Sequence, residues 1–213
     1  MTALVDNDIL LKGACYRLLA TLVAMKCGTE RVGYLAAARF VLRKKIRRAN
    51  LRGSAVEAEA ELLDFLGEHE AIETTAEEQA LAATLETAAQ GLPVNLDTGE
   101  SQLLAVLVLR TLPSLLTGDK RAIIAIERLL DATAGLSEAA GKITCLEQLV
   151  KLAILGGDPM ATRTAICNEP EVDLALSICF SCFSPDVTAT SILEGIDSYI
   201  SDLRQKAPRA LTI

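Results

Sequence analysis

Ala3-Leu4-Val5 is a short apolar run that ends in Asp6, and beyond it Leu11, Cys15, Leu18, Leu19 and Leu22 recur at the spacing of a helix face. The pattern predicts a strand followed by a helix. A second helix is expected over Tyr34 to Arg48, then a loop around Asn50 to Gly53 and a third helix from Ser54 to about Leu66. Thr75 and Glu78 have capping-box spacing and open a fourth helix that stops at Gly91. The central stretch alternates. Pro93 to Leu96 leads into Asp97 and a helix over Thr98 to Thr111, and Leu115-Leu116-Thr117 leads through Gly118 into Asp119 and a helix from Lys120 to about Ala132. Lys142 to Leu146 reads as another strand, with Glu147 opening a helix through Leu155. Such alternation is how a parallel sheet covered by helices is written in sequence. From Asp158 onward the pattern is two or three helices broken at Pro170 and Pro185. The expected organisation is an α/β domain over 1–157, with a helical insertion at about 53–92, and a helical extension over 158–213 packed on it. No repeat or flexible linker divides them.

Composition agrees with a helix-rich core: 213 residues are 51% hydrophobic and only 3% aromatic, without Trp. Six cysteines, Cys15, Cys27, Cys145, Cys167, Cys179 and Cys182, lie mostly in apolar runs and read as reduced thiols. The opening MTALVDNDILLK places acids where a signal peptide needs a basic stretch, and the longest apolar runs, Leu103 to Leu109 and Leu174 to Ile178, are too short to span a bilayer. A cytoplasmic location is expected. The net charge of −7 argues against wholesale coating of nucleic acid. The charge is segregated, however: Arg39, Arg43, Lys44, Lys45, Arg47, Arg48 and Arg52 follow one another without an acid, while acids crowd Glu57 to Glu86.

In a parallel sheet, ligands bind beyond the carboxyl ends of the strands. Asp6, Asp97 and Asp119 each follow a short apolar run and precede a helix, which assigns them to that edge; Glu100 sits one turn inside its helix at the same end. Carboxylates without His or Cys suit a hard cation, Mg²⁺ or Mn²⁺. The reaction natural to such a site is phosphodiester hydrolysis. The same acids also suit helix capping, since Asp at an N-cap with Glu at the third position satisfies orphan amides, and a capping carboxylate can keep an oxygen free for metal.

The opening LVDNDILL, the block LDTGESQLLAV and the segment LLTGDKRAI resemble the PIN-domain nucleases over roughly residues 3 to 150. In that family an Asp closes the first strand, an acid opens the helix before a later strand, and a Thr-x-Asp motif ends that strand. Asp6, Glu100 and Asp119 match these positions, Asp8 stands where Asn or Asp is common, and the D-x-G-E of Asp97 to Glu100 is similar to a PIN-like subgroup. The resemblance implies an α/β/α sandwich with a short, mainly parallel sheet and RNA cleavage dependent on Mg²⁺ or Mn²⁺ held by Asp6, Asp97, Glu100 and Asp119. Arg43, Lys44, Arg47 and Lys120 would contact the RNA, and Arg43 to Arg52 also reads as a plain exposed helix face. A protein inhibitor of the antitoxin kind and a homodimer are the further partners implied. No acid on the first helices matches the one many PIN domains carry there, which keeps open a catalytically inactive module that binds RNA or protein. Glu147 is a candidate replacement ligand, or a cap.

Other signals are weaker. Cys179-x-x-Cys182 has no second ligand pair and reads as buried thiols. His69, the only histidine, has no nucleophile motif nearby. Gly135 to Lys142 departs from a phosphate loop in spacing and continues with Ile143 where Ser or Thr would hold magnesium.

Overall fold

A computed structural model describes residues 1–213. The strands are two or three residues long: β1 (Leu4–Val5), β2 (Gly33–Leu35), β3 (Glu70–Ile72), β4 (Leu115–Thr117) and β5 (Ile143–Cys145). All pair in parallel, in the order β3-β2-β1-β4-β5. Ladders this short supply few hydrogen bonds, so the sheet is held by what its two faces bury. Side chains alternate between the faces as the pleat requires. Ala3, Val5, Tyr34 and Leu116 enter one buried cluster; Leu4, Leu35, Leu115 and Ile143 enter the other.

Helices α1 (Asn7–Tyr16), α2 (Leu19–Cys27), α3 (Ala38–Arg48), α4 (Ala55–Glu68), α8 (Leu146–Gly156), α9 (Pro159–Asn168) and α10 (Leu174–Cys179) line the first cluster. The second is lined by α5 (Ala76–Gly91), α6 (Thr98–Leu109) and α7 (Lys120–Leu129). The last helix, α11 (Ala189–Lys206), contributes Ile192 and Ile196 to one and Leu203 to the other. The result is a helix-rich α/β protein with a parallel sheet between helical layers and helices at its C-terminal end. No helix is long and apolar enough to cross a membrane.

The segment after α11 also closes the sheet. The Gly141 amide donates to Arg209 O (2.7 Å), the Ile143 amide to Ala210 O (3.1 Å), and the Thr212 amide to Ile143 O (2.7 Å). These bonds cover the outer edge of β5, which would otherwise present unpaired backbone groups. Arg209 is anchored on Glu127 at 2.7 Å.

Several expectations need correction. Tyr34 lies in β2, and the helix that follows starts only at Ala38. The stretch 53–92 contains an edge strand, β3, between its helices. Strands of three residues are too short to display a period of two, so neighbouring helical periodicity masks them. Pro93 to Leu96 is irregular, and Asp97 therefore follows a loop and not a strand. Cys167 and Cys182 form a disulfide, whereas Cys15, Cys27, Cys145 and Cys179 are free thiols. The pairing joins α9 to the turn after α10, which packing brings to a Cα separation of 5.0 Å. The C-terminal pattern resolves into three helices, with Pro170 and Pro185 both in the breaks between them.

Candidate functional site

The strand order reverses between β1 and β4, and an acid follows each of these neighbouring strands. Beyond the carboxyl ends at such a switch point, helices diverge and leave a crevice. Asp6 lies there as the N-cap of α1, only 5% exposed. Its backbone amide donates to Leu116 O, which locks it to β4. Its Oδ1 accepts the Asn7 amide at 2.6 Å and its Oδ2 accepts the Thr117 hydroxyl at 2.9 Å. Thr117 Oγ1 in turn accepts the Asp119 amide at 3.3 Å. The Thr-x-Asp spacing is thus a physical bridge: one hydroxyl orients the acids of two adjacent strands. Burial pushes Asp6 up to about 6 despite these hydrogen bonds, and the charges of Asp8 and Asp97 add to the rise.

Asp97 and Glu100 make a complete capping box on α6. Asp97 Oδ1 accepts the Glu100 amide, and Glu100 Oε2 accepts the Asp97 amide, each at 2.8 Å. Burial pushes Glu100 up to about 8; the Asp97 amide opposes the rise, and the charges of Asp97, Asp6 and Asp119 reinforce it. Asp119 caps α7 and is gripped by the exposed Arg121 guanidinium at 2.9 Å. Burial would raise its carboxyl, but the hydrogen bonds from Arg121 outweigh burial and hold it below the usual range. Asp6 therefore feels the charge of Asp97, and Glu100 the charges of Asp97, Asp6 and Asp119, at one edge of the sheet, and all four acids take part in helix caps as well.

Asp8, in the first turn of α1, presses on β4's exit. A Cβ on Gly118 would stand 2.1 Å from Asp8 Oδ2, so a side chain there would force the Asp8 carboxylate to move. The Lys12 ammonium bridges Asp8 and Asp173, 2.7 Å from each. Asp173 is the N-cap of α10, so the C-terminal helices reach into this edge. Lys120 lies 2.7 Å from Glu147 and 4.5 Å above the Tyr199 ring. Glu147 is 2% exposed and is not a cap, since Cys145 and Gln148 fill those roles on α8; its Oε2 has no hydrogen-bond partner. Lys120 is thus engaged with an internal carboxylate and stands apart from the other basic candidates. Arg43 and Arg47 lie on α3, both paired with Glu59 at 2.7 and 2.6 Å, and Lys44 extends beside them.

The donors at the edge are all carboxylate and hydroxyl oxygens, which is the chemistry of a hard cation. No three His, Cys, Asp or Glu side chains stand close enough to form a cage for a metal ion. A cation at this edge would therefore be held through no more than two of these carboxylates, with waters completing its shell. Sequence reading missed Lys12, Thr117, Asp173 and Tyr199. Asp8 and Lys12 have i,i+4 spacing and Thr117 lay inside the quoted motif, so two of these were within reach. Asp173 and Tyr199 come from helices with no local signal of where they dock. Comparison with known proteins returns no matching family model, no matching curated protein and no matching solved structure.

Proposed function

We propose that this chain is a PIN-like endoribonuclease that hydrolyses RNA phosphodiester bonds with a Mg²⁺ or Mn²⁺ ion at the carboxyl edge of its sheet. The observation that carries this reading is the burial of Asp6 and Glu100 at one sheet edge, reinforced by neighbouring carboxylates, which lifts Asp6 to about 6 and Glu100 to about 8. A site that costs this much to ionise is one whose charged form an external cation would stabilise. A divalent ion there would activate water and offset charge on the phosphoryl oxygens. The protein's own contribution is positional. Thr117 fixes Asp6 against Asp119, and the capping box fixes Glu100 with Oε2 on the Asp97 amide, leaving Oε1 to hold or release a proton near neutral pH.

A second reading rests on a specific observation. Lys12 and Lys120 already neutralise Asp8, Asp173 and Glu147, and no three acids form a cage. This favours a catalytically inactive PIN-like module that binds RNA or a protein. The deciding experiment compares cleavage of single-stranded and structured RNAs by the wild type, Asp6→Asn and Asp119→Asn, with Mn²⁺ or Mg²⁺. The nuclease reading expects metal-dependent cutting that falls by about 100-fold or more in both variants. Absence of cutting with either metal, with RNA binding equal in all three proteins, selects the inactive module.

A further inference from the structure

Helix α3 turns an exposed side to solvent on which Phe40, Arg43, Lys44, Arg47 and Arg48 line a shallow pocket of about 320 Å³. Phe40 is 75% exposed and, unlike the equally exposed Phe183, is surrounded by cations; Phe65 and Phe180 are buried. The surrounding charge is unusual for a chain of net charge −7: four cations against one carboxylate, Glu59. Glu59 braces two of them, taking Arg43 through Oε1 and Arg47 through both oxygens. Lys44 and Arg48 form no ion pair.

A second groove on the same helix reaches toward the acidic edge. At about 100° per residue, Lys44, Arg48 and Lys45 stand roughly 40°, 80° and 140° around the helix from Phe40. Lys45 then lines a groove of about 340 Å³ together with Asp8, Lys12 and Asn50. Lys45 thus stands on the same helix as the exposed ring and lines the groove that contains Asp8.

We propose that this face of α3 is a track for single-stranded nucleic acid, with one base stacked on Phe40 and the flanking phosphates on Lys44, Arg48 and the braced Arg43 and Arg47. It rests on the RNA reading above and adds the strandedness and the stacking residue. A ring open on its face can take a base only if that base is free of its own stack, which a single strand permits and a duplex does not. Mixed basic and aromatic lining is the general composition of such tracks, whereas a membrane-facing helix would place several large apolar side chains where this one places cations.

The test is fluorescence anisotropy of the full chain in EDTA with a labelled oligouridine and a blunt RNA duplex of equal length. The single strand is expected to bind more tightly. Phe40→Ala should weaken single-strand binding about tenfold and leave duplex binding unchanged. Replacing Lys44 and Arg48 together by Gln should make the salt slope of single-strand binding shallower by about 1.4, at 0.7 per phosphate contact. All three side chains are exposed, so the variants keep the fold, which their melting temperatures will verify. Equal binding of duplex and single strand, indifference to Phe40→Ala, or binding to phosphatidylserine vesicles in place of RNA would each overturn the proposal. Asp6→Asn should bind like the wild type, so a failed cleavage assay and a failed track are separate results.

Discussion

Two halves of the same sheet edge solve the problem of crowded carboxylates in opposite ways. Around Asp8, Glu147 and Asp173, the chain supplies its own cations: Lys12 bridges two acids, and Lys120 sits on the third and over Tyr199. Around Asp6, Asp97 and Glu100 no lysine or arginine is paired with any carboxylate, and burial with like charge lifts Asp6 and Glu100 far above the ordinary range. Asp119 lies between these regimes, held by an Arg121 that is largely in solvent. Folding pays for order in the first half with internal ion pairs. In the second half it leaves a deficit of positive charge, and an open deficit is what an external cation or a phosphate-bound cation can fill.

The largest expected effect breaks the self-sufficient half. Lys120→Met leaves the enclosed Glu147 carboxyl without its counter-ion, which should cost about 3–4 kcal/mol in urea unfolding. Adding Glu147→Gln to that variant should recover most of the loss, because the penalty comes from the stranded charge and not from the missing lysine. A loss below about 1 kcal/mol in the single variant would show that the pair is solvated and that the two halves do not differ in kind.

The next effect concerns the deficient half and is one of pH. Asp6 and Glu100 have folded values of about 6 and about 8 against ordinary values of 3.8 and 4.5. The folded protein therefore prefers their protonated forms. The stability this confers is fully present below about pH 4 and is lost as pH rises, first through 6 and then through 8. In EDTA the wild type should lose thermal stability between pH 5 and 9, and Glu100→Gln should remove the upper step. The expected difference is on the order of 1–2 kcal/mol after allowing for screening of a partly exposed group, or roughly 2–8 °C in melting temperature. Millimolar Mn²⁺ should reduce the wild-type loss at high pH and do less for Glu100→Gln. A wild-type profile flat from pH 5 to 9 would refute the charge deficit.

How much of this was legible beforehand follows from the range of each interaction. Capping residues act within one turn, so the boxes at Thr75 and Asp97 and the cap at Asp119 could be read directly, and the strand-helix alternation after Leu115 located β4 and β5. Asp6 and Asp119 fell at one edge because a parallel sheet leaves no other place for residues that follow its strands. β2 and β3 were hidden because three residues beside a helix carry no periodic signature. The partition of the acids into two charge regimes was hidden for a different reason. It depends on Asp173 and Tyr199, which return from the C-terminal helices to meet Lys12 and Lys120, and no local pattern encodes a docking made 161 residues away. The reading of six reduced cysteines failed in the same way, since Cys167 meets Cys182 only through the packing of α9 against the turn after α10.

The smallest expected effect sharpens the comparison at its narrowest point, the Thr117 hydroxyl. Burial raises Asp6, and the Thr117 hydrogen bond is the chief force holding that rise to about 6. Thr117→Val keeps the shape and the buried position in β4 but removes the donor to Asp6 and the acceptor for the Asp119 amide. Losing a hydrogen bond to a charged acceptor should cost about 1–2 kcal/mol near pH 8, where Asp6 is ionised, and less near pH 5, where it holds its proton. The Asp6 carboxyl should therefore titrate above 6 in the variant, which ¹³C NMR of the side-chain carboxyl can follow. Thr117→Ser, which retains the hydroxyl, should titrate like the wild type. If Val and Ser behave alike, Thr117 serves only to fill space in β4, and the coupling of Asp6 to Asp119 runs through the backbone contact between Asp6 and Leu116 instead.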